Sequence, residues 1–366
     1  MSKINAVLII NPFGIGDVIF STALMRSLHA SLPDARIYYL CNQKTAPVMR
    51  ADPLITDVFV YERDEFLAAQ RSSFIRWWAK MGSFIRAIRA ARIDIAFDLS
   101  LNTQYGFFAW WAGIRRRVGL DYRNRCLFLN RRLSIAGYTD KHVAEYYLDL
   151  LQLVDLPVAD RRLEVRVDPS SRAWATDLFK QRGIGEDRLV IGIAPLGGDA
   201  FGKDAYIKRW PAECFSAVID RLVEKYNAVI FLFAGPKEKE EIMGIVDGVR
   251  AKSNVFEFSS ATLPQMVALV DRSELFIGND TGPLRFADGL KKKIVALFGP
   301  VDDRVYGPYP PEKGRTAVLK KDMPCRPCYR GFRLQQCLLD KKCLLDITVD
   351  EVMRAVDGLF RGDGVL

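Results

Sequence analysis

The chain has no long apolar run. The first apolar run, Ala6 to Ile10, ends at Asn11 and Pro12, before the ~7 to 15 apolar residues of a secretory signal are reached. The longest uncharged stretch, Leu99 to Ile114, carries three polar residues at positions 102–104 and is shorter than the ~18 apolar residues that a membrane-spanning helix needs. We therefore expect a cytoplasmic protein.

Compositional extremes are also absent. A hydrophobic fraction of 49% and a charged fraction of 27% are ordinary for a folded protein and exclude a disordered chain or a membrane bundle. The net charge of +9 at pH 7 favours an acidic partner, such as nucleic acid, an anionic membrane or a phosphorylated substrate. Because no motif of a DNA- or RNA-binding fold is present, we expect no nucleic-acid partner.

The length and the pattern predict two α/β domains. The 366 residues exceed one domain at ~150 residues each, and both halves alternate β-rich runs with amphipathic runs, which is typical of parallel βαβ units. A charged, proline-marked stretch, Asp155 to Pro169, interrupts the alternation and is the predicted linker. We predict two Rossmann-like domains, 1–165 and 166–347, that face a central cleft, and a C-terminal helix within 348–366 that can return to the N-terminal domain.

Two glycines and an acid follow the first predicted strand, in the order Gly-Ile-Gly16-Asp17. Ligands bind at this edge of open α/β sheets, and Gly16 would let a ligand approach the backbone closely. Asp17 is a candidate for chemistry in the cleft, the alternative being that it only caps the helix. Because Ile19 stands where G-x-G-x-x-G requires a third glycine, a dinucleotide-dependent oxidoreductase is disfavoured.

A second loop of interest, Asp280-Thr281-Gly282-Pro283, follows a strand in the second half. Proline suits the first turn of a helix and Thr281 can cap it. Free N–H groups and the helix dipole would then favour an anion such as a diphosphate. The alternative is a turn with a purely structural role.

A third loop, Pro195 to Lys203, contains Gly197 and leads to Lys208-Arg-Trp-Pro211. Lys208 or Arg209 would lie beside the diphosphate and offset the charge that gathers on a departing nucleotide. The alternative is a solvated basic turn before a helix.

Together with Val295-Ala-Leu-Phe-Gly-Pro300 and Tyr306-Gly-Pro-Tyr309, these three loops resemble the motifs of glycosyltransferase family 9, the ADP-heptose:lipopolysaccharide heptosyltransferases. The resemblance spans nearly the whole chain. It implies a GT-B fold and an inverting, metal-independent transfer of heptose from ADP-heptose to an inner-core lipopolysaccharide acceptor. The alternative is a GT-B enzyme that uses another nucleotide-sugar for protein or surface-polysaccharide glycosylation.

The resemblance also implies residue roles. Asp17 would be the general base that deprotonates the acceptor hydroxyl, while Lys208 and the helix start at Thr281 and Gly282 would stabilise the leaving diphosphate. The other donor-site candidates are Gly16, Gly197, Asp280 and Pro283, with either Glu238 or Glu240 on the nucleotide ribose. The sequence departs from the family at Arg285, where a histidine is expected, and at Lys291-Lys-Lys293, where small residues are usual.

Four cysteines near the C-terminus follow the pattern C-x2-C-x8-C-x5-C, namely Cys325, Cys328, Cys337 and Cys343. Four thiolates can hold zinc or iron, so the pattern predicts a structural metal. The alternative is reduced thiols, because disulfides are rare in the cytosol. Such a metal would be structural, and we expect no cofactor for catalysis.

Basic residues are concentrated in the first half, which receives the acceptor in the family. We predict that arginines of this half bind the phosphates or Kdo carboxylates of an anionic glycolipid, namely Arg115, Arg116 and Arg117 together with Arg123, Arg125, Arg131 and Arg132. The segment Arg71 to Arg92 mixes apolar and basic residues at helical spacing, which predicts peripheral contact with the inner-membrane surface. The alternative is a helix that packs its apolar face on the sheet.

Overall fold

The structure, a computed structural model, describes residues 3–198 and 201–362. The chain divides into two compact units. The first extends to Tyr138 and includes Val143–Arg162, and the second comprises Thr139–His142 and the described residues from Leu163 onward. Among the described helices, none is long and apolar enough to cross a bilayer.

The first unit is a parallel six-stranded sheet flanked by helices. Its strands are β1 Ala6–Ile10, β2 Arg36–Cys41, β3 Ile55–Val60, β4 Ile95–Asp98, β5 Arg116–Tyr122 and β6 Arg131–Ile135. Its helices are α1 Ile15–Phe20, α2 Thr22–Ser31, α3 Ala46–Arg50, α4 Arg63–Ser72, α5 Phe74–Ala90, α6 Thr103–Trp111 and α7 Val143–Leu148, the last followed by a 3-10 turn at Asp149–Val154.

The strand order of this sheet is β3-β2-β1-β4-β5-β6, the Rossmann order. Strand β1 is buried at all five positions, as expected for a central strand covered on both faces by helices. The order reverses direction between β1 and β4, so this is the switch point at which doubly wound sheets bind ligands.

The second unit repeats this topology with the order β12-β11-β10-β7-β8-β9. Its strands are β7 Val190–Ala194, β8 Val229–Phe233, β9 Val255–Phe258, β10 Leu275–Asn279, β11 Lys293–Leu297 and β12 Thr316–Leu319. Its helices are α8 Pro169–Gln181, α9 Ala212–Tyr226, α10 Lys239–Gly248, α11 Leu263–Asp271, α12 Gly282–Gly289 and α13 Asp303–Tyr306, with 3-10 turns at Gly202–Lys208, Pro236–Glu238 and Lys252–Asn254. Its switch point lies between β7 and β10.

The C-terminal region adds a small antiparallel hairpin and two helices to the second unit. The elements are β13 Tyr329–Arg330, β14 Arg333–Leu334, α14 Lys342–Leu345 and α15 Val349–Arg361. The predicted C-terminal helix is thus present as α15, and its side chains Val352, Val356 and Leu359 join the core that also contains Val295 of β11 and Ala317 of β12.

The helical segment after β1 begins at Ile15 and is divided at Ser21 into α1 and α2. The Ser21 hydroxyl bonds the carbonyl of Val18 at 2.7 Å and shares a buried 2.6 Å hydrogen bond with the Tyr39 hydroxyl. This side chain connects the junction of α1 and α2 to strand β2.

Gly119 of β5 provides a test of the packing at this edge. A Cβ there would overlap the carbonyl oxygen of Asp98 on the neighbouring strand. We expect Gly119→Ala to lower the free energy of unfolding by ~1 to 3 kcal/mol, the cost of overpacking. The matched control is Gly82→Ala in α5, where a Cβ meets nothing within 4 Å and which should stabilise the helix by up to ~1 kcal/mol. Urea unfolding measures both, and equal stability of the two variants would contradict this packing.

Candidate functional site

In the first unit, Gly16 and Asp17 lie at the switch point, in the first turn of α1 directly after β1. The N-cap of this helix is Gly14, which makes no side-chain capping hydrogen bond. Asp17 is therefore not the capping residue. Its half-buried carboxylate is still favoured electrostatically, because an acid in the first turn interacts with the positive end of the helix dipole.

A tyrosine that the sequence did not indicate lies beside this carboxylate. The buried hydroxyl of Tyr147, in α7, donates to Oδ1 of Asp17 at 3.5 Å. Burial, with a further contribution from the negative charge of Asp17, raises the pKa of Tyr147 well above its ordinary value. The phenol therefore stays protonated, and it orients the carboxylate as a hydrogen-bond donor.

A second carboxyl group, Asp98, ends strand β4 at the same edge, opposite Ile10 of β1. Burial raises its pKa to about 6 against the hydrogen bonds from Ser100, and its Oδ2 has no hydrogen-bond partner in the described part of the chain. The Asp98 side chain is buried, with 1% exposure, whereas Asp17 is partly exposed to solvent.

The structure does not bring Arg115, Arg116 and Arg117 to the edge that carries Asp17. They precede or begin β5, and the amino ends of parallel strands lie at the opposite edge of a sheet from the carboxyl ends. The guanidinium of Arg117 also donates to the carbonyl oxygen of Phe128. At the carboxyl end of β5, by contrast, Arg123 and Arg125 are exposed.

In the second unit, a buried ion triad occupies the switch point. The Lys208 ammonium lies 2.6 Å from Oδ2 of Asp280, and the Arg285 guanidinium pairs with Oδ1 of the same carboxylate. All three side chains are at most 10% exposed. Burial alone would raise the pKa of Asp280, but the charges and hydrogen bonds of Lys208 and Arg285 lower it below its ordinary value. The carboxylate therefore remains ionised.

The triad lies at the start of α12, whose first residues are Gly282 and Pro283. Thr281 is the N-cap residue as predicted, but its side chain makes no capping bond. Within the described residues, its buried Oγ1 and the buried Oδ1 of Asn279 have no hydrogen-bond partner. Unpaired buried polar atoms are costly, and here two of them accompany the free N–H groups of a helix start.

The two glutamates proposed for the ribose differ in their surroundings. Glu238 is buried and accepts from the backbone N–H of Gly198 at 3.1 Å and of Gly235 at 2.9 Å, and it pairs with Arg209. Glu240 is exposed on α10. The structure thus brings Glu238, and not Glu240, to the loop after β7.

That loop is held close to the segment that carries Lys208. A Cβ on Gly197 would lie 2.6 Å from the carbonyl oxygen of Ala205, so only glycine permits this approach. The predicted loop from Pro195 to Lys203 also includes Asp199 and Ala200, which lie outside the described residues.

The predicted structural metal at Cys325, Cys328, Cys337 and Cys343 is not supported. In the part of the chain that the structure describes, no group of three or more histidine, cysteine, aspartate or glutamate side chains could hold a metal ion. None of these four cysteines forms a disulfide. The Cys328 thiol donates to the Cys325 carbonyl oxygen, and the Cys337 sulfur accepts from the backbone N–H of Lys341. Burial and the neighbouring thiols raise the pKa of Cys328 to about 11.

Comparison with known proteins identifies the family to which the chain is similar. Residues 81–338 match glycosyltransferase family 9 (heptosyltransferase). The chain is 24% identical to lipopolysaccharide heptosyltransferase 3 of Escherichia coli over 299 residues, which cover 80% of this chain and 83% of the relative.

Two solved structures share the fold. A family 9 glycosyltransferase from Veillonella parvula superposes with a TM-score of 0.81 at 23% identity, covering 98% of this chain and 97% of the other. The ADP-heptose lipopolysaccharide heptosyltransferase II of E. coli gives a TM-score of 0.75 at 21% identity, with 98% and 99% coverage.

The predicted fold class, two parallel-sheet α/β domains of the GT-B type, is confirmed by these neighbours. The family match, which covers more than half of the chain, likewise confirms the resemblance found in the loops after β1, β7 and β10. This protein therefore belongs to glycosyltransferase family 9, the heptosyltransferases, and is a glycosyltransferase.

Proposed function

We propose that this enzyme transfers heptose from ADP-heptose to an anionic inner-core lipopolysaccharide acceptor, with inversion and without a metal. The observation that carries the proposal is the ion triad of Lys208, Asp280 and Arg285 at the start of α12. The similarity to an ADP-heptose-dependent enzyme supports the choice of donor.

The charge balance of the triad suits a diphosphate. Two cations surround one carboxylate, which leaves one net positive charge in a largely buried site. The N-terminus of α12 adds N–H donors and the positive end of a helix dipole, and the Thr281 hydroxyl is available as a further donor. These groups would stabilise the charge that develops on the nucleoside diphosphate as it leaves. A histidine in place of Arg285 would supply this permanent charge less reliably.

Asp17 is proposed as the general base in the first unit. It would accept the proton of the acceptor hydroxyl as that oxygen attacks the anomeric carbon of the donor sugar, while the bond from that carbon to the diphosphate breaks. The hydrogen bond from Tyr147 supports this role because it fixes the orientation of the carboxylate. Lysine, arginine and backbone N–H groups would stabilise the negative charge of the transition state, so the reaction would need no metal.

We further propose that the first unit binds the acceptor and the second unit binds the donor, and that the reaction takes place at the cytoplasmic face of the inner membrane. Arginines of the first unit would bind the anionic groups of the acceptor. Of these, Arg123 and Arg125 follow β5 at the edge that carries Asp17, whereas Arg115, Arg116 and Arg117 lie at the other end of that strand. On the donor, Glu238 would act by positioning the loop at Gly198.

Thermal unfolding in a panel of nucleotide-sugars tests the donor. We expect ADP and ADP-heptose to raise the unfolding temperature selectively, because a ligand that binds only the folded state stabilises it. Lys208→Met should weaken ADP binding by about tenfold or more, the loss of one charged hydrogen bond. The control Lys180→Met removes an exposed lysine of α8 and should leave binding unchanged. Selective stabilisation by another nucleotide-sugar would contradict the ADP-heptose assignment and favour glycosylation with that sugar.

Turnover by Asp17→Asn tests the base. We expect kcat to fall ~100-fold or more while the ADP-induced thermal shift is retained, because an amide cannot accept the proton. Asp34→Asn, at an exposed position before β2, is the matched control and should keep normal turnover. If Asp17→Asn turns over at a near-normal rate, Asp17 is not the base.

The triad also predicts a pH dependence of stability. The pKa of Asp280 is lower in the folded state than its ordinary value of 3.8, so its stabilising effect is complete above about pH 4 and is lost as the pH falls further. Asp280→Asn leaves two buried cations without their carboxylate and should cost ~3 to 5 kcal/mol at pH 7. Urea unfolding should show this difference shrinking below pH ~4, where the carboxyl of the unfolded chain protonates first, and vanishing as the pH falls through the lower pKa of the folded state. A difference that does not depend on pH would contradict the ionised triad.

A further inference from the structure

The first unit exposes a group of large apolar side chains that its core does not use. They come from α5, from the end of α6 and from the loop before β6. Their exposures are 65% for Phe74, 79% for Ile75, 44% for Trp78, 51% for Trp110 and 71% for Leu127. We call these five residues the aromatic patch.

Ring contacts make the patch continuous. Trp78 lies 5.8 Å from Phe74 on the same helix and 5.8 Å from Trp111 of α6, measured between ring centroids. Trp110 lies 5.6 Å from Phe128, the residue next to Leu127. Phe107 of α6 contacts both Trp110 and Trp111, at 5.8 and 5.7 Å between ring centroids. The rings of three separate segments are therefore connected, whereas scattered single exposed residues would need no explanation.

Helix α5 divides into two halves with different surroundings. In its C-terminal half, Met81, Ile85 and Ile88 are buried in the core of the unit. In its N-terminal half, Phe74, Ile75 and Trp78 are exposed. The sequence alternative of a helix packed on the sheet thus describes the C-terminal turns of α5 and does not account for the exposed apolar side chains of its N-terminal turns.

The segments that carry the patch have charge of one sign only. Residues 73–93, 99–120 and 122–139 contain arginine and lysine but no aspartate or glutamate. On α5, Arg76 lies between Ile75 and Trp77 and is exposed, as is Arg125 in the loop before β6. Arg89 donates to the carbonyl oxygen of Trp111 at 2.7 Å. Arg76, Arg89 and Arg125 therefore give the patch a basic rim, while Lys80 of α5 is paired with Glu65 of the neighbouring α4 at 2.6 Å.

We propose that the aromatic patch docks the enzyme on an anionic membrane leaflet, with the tryptophan and phenylalanine rings at headgroup level and the arginines on lipid phosphates. Four of the six tryptophans of the chain, Trp77, Trp78, Trp110 and Trp111, lie in or next to the patch, and tryptophan is the side chain that favours the membrane–water interface. A basic rim around apolar side chains is the charge pattern of a peripheral membrane surface.

A second copy of the chain fits this surface less well. In a two-fold dimer the same patch lies on both sides, so the arginines of one rim would face those of the other. Lipid phosphates supply the opposite charge instead. The inference deepens the proposed function, on which it rests for its biological purpose, because docking would bring the enzyme to a glycolipid acceptor. Membrane binding can nevertheless be measured without any turnover.

Co-sedimentation with vesicles tests the proposal. At low salt we expect the full-length protein to bind vesicles of phosphatidylcholine with phosphatidylglycerol, and not phosphatidylcholine alone. The double variant Trp78→Ser with Trp110→Ser should bind the anionic vesicles about tenfold or more weakly, since it removes two rings from the interface. Both side chains are exposed, so folding should be retained. In the wild type, brominated phosphatidylcholine included in the anionic vesicles should quench tryptophan fluorescence.

The matched control is Leu338→Ser with Leu339→Ser, which removes two exposed leucines of the second unit, 85% and 48% exposed, and should leave vesicle binding unchanged. An ADP-induced thermal shift measured on every variant reports the donor site separately, so a failure of docking is distinguishable from a failure of the proposed function. Equal binding by the tryptophan variant, or absence of binding by the wild type, would overturn the proposal. So would a wild-type dimer, seen by light scattering, that the tryptophan variant makes monomeric.

Discussion

The buried carboxylate of Asp280 determines the arrangement of the second unit's switch point. A lone ionised carboxylate at this depth would be strongly destabilising, and so would either cation alone. Lys208 pairs with one oxygen and Arg285 with the other, so each cation has a carboxylate partner and one positive charge remains. The contacts connect the turn after β10, helix α12 and the 3-10 turn that precedes α9. Groups that would bind an anion are therefore held by the chain itself, before any ligand arrives, which is the condition for effective electrostatic stabilisation.

The first unit has the same topology but places a carboxylate, instead of cations, at its switch point. Both sheets have the Rossmann order, so each offers one crevice where the strand order reverses. In the second unit, cations and N–H groups line it. In the first, the carboxylate of Asp17 lies in a helix turn, with a protonated phenol as its hydrogen-bond donor. A carboxylate in that setting suits proton removal, and a cationic setting suits an anion.

Local patterns predicted much of this fold because the central strands are continuous apolar runs that end at glycine-containing loops. Continuous apolar runs do not mark β5 and β6, which begin at Arg116 and Arg131; these strands form by pairing with a neighbouring strand despite their basic starts. The motif loops predicted the positions of Asp17, Lys208 and Asp280 at sheet edges. Contacts made over long sequence distances could not be predicted, such as the one between Tyr147 and Asp17, 130 positions apart, and the one between Lys208 and Asp280, 72 positions apart. The four cysteines show the converse, because their spacing suggested a metal site that side-chain positions do not support.

The motif that carries Lys208 also contains Trp210, whose buried indole N–H donates to the carbonyl oxygen of Ile347 at 2.9 Å. Ile347 lies two residues before the first residue of the last helix, and the hydrogen bond spans 137 positions of the chain. During synthesis, domains fold from the N-terminus onward. The sheet edge with Asp17 uses residues made in the first half of translation, whereas the anchor of the lysine segment requires almost the entire polypeptide. The residues around Asp17 are thus synthesised early, whereas the Trp210 hydrogen bond that anchors the lysine segment can form only near the end of synthesis.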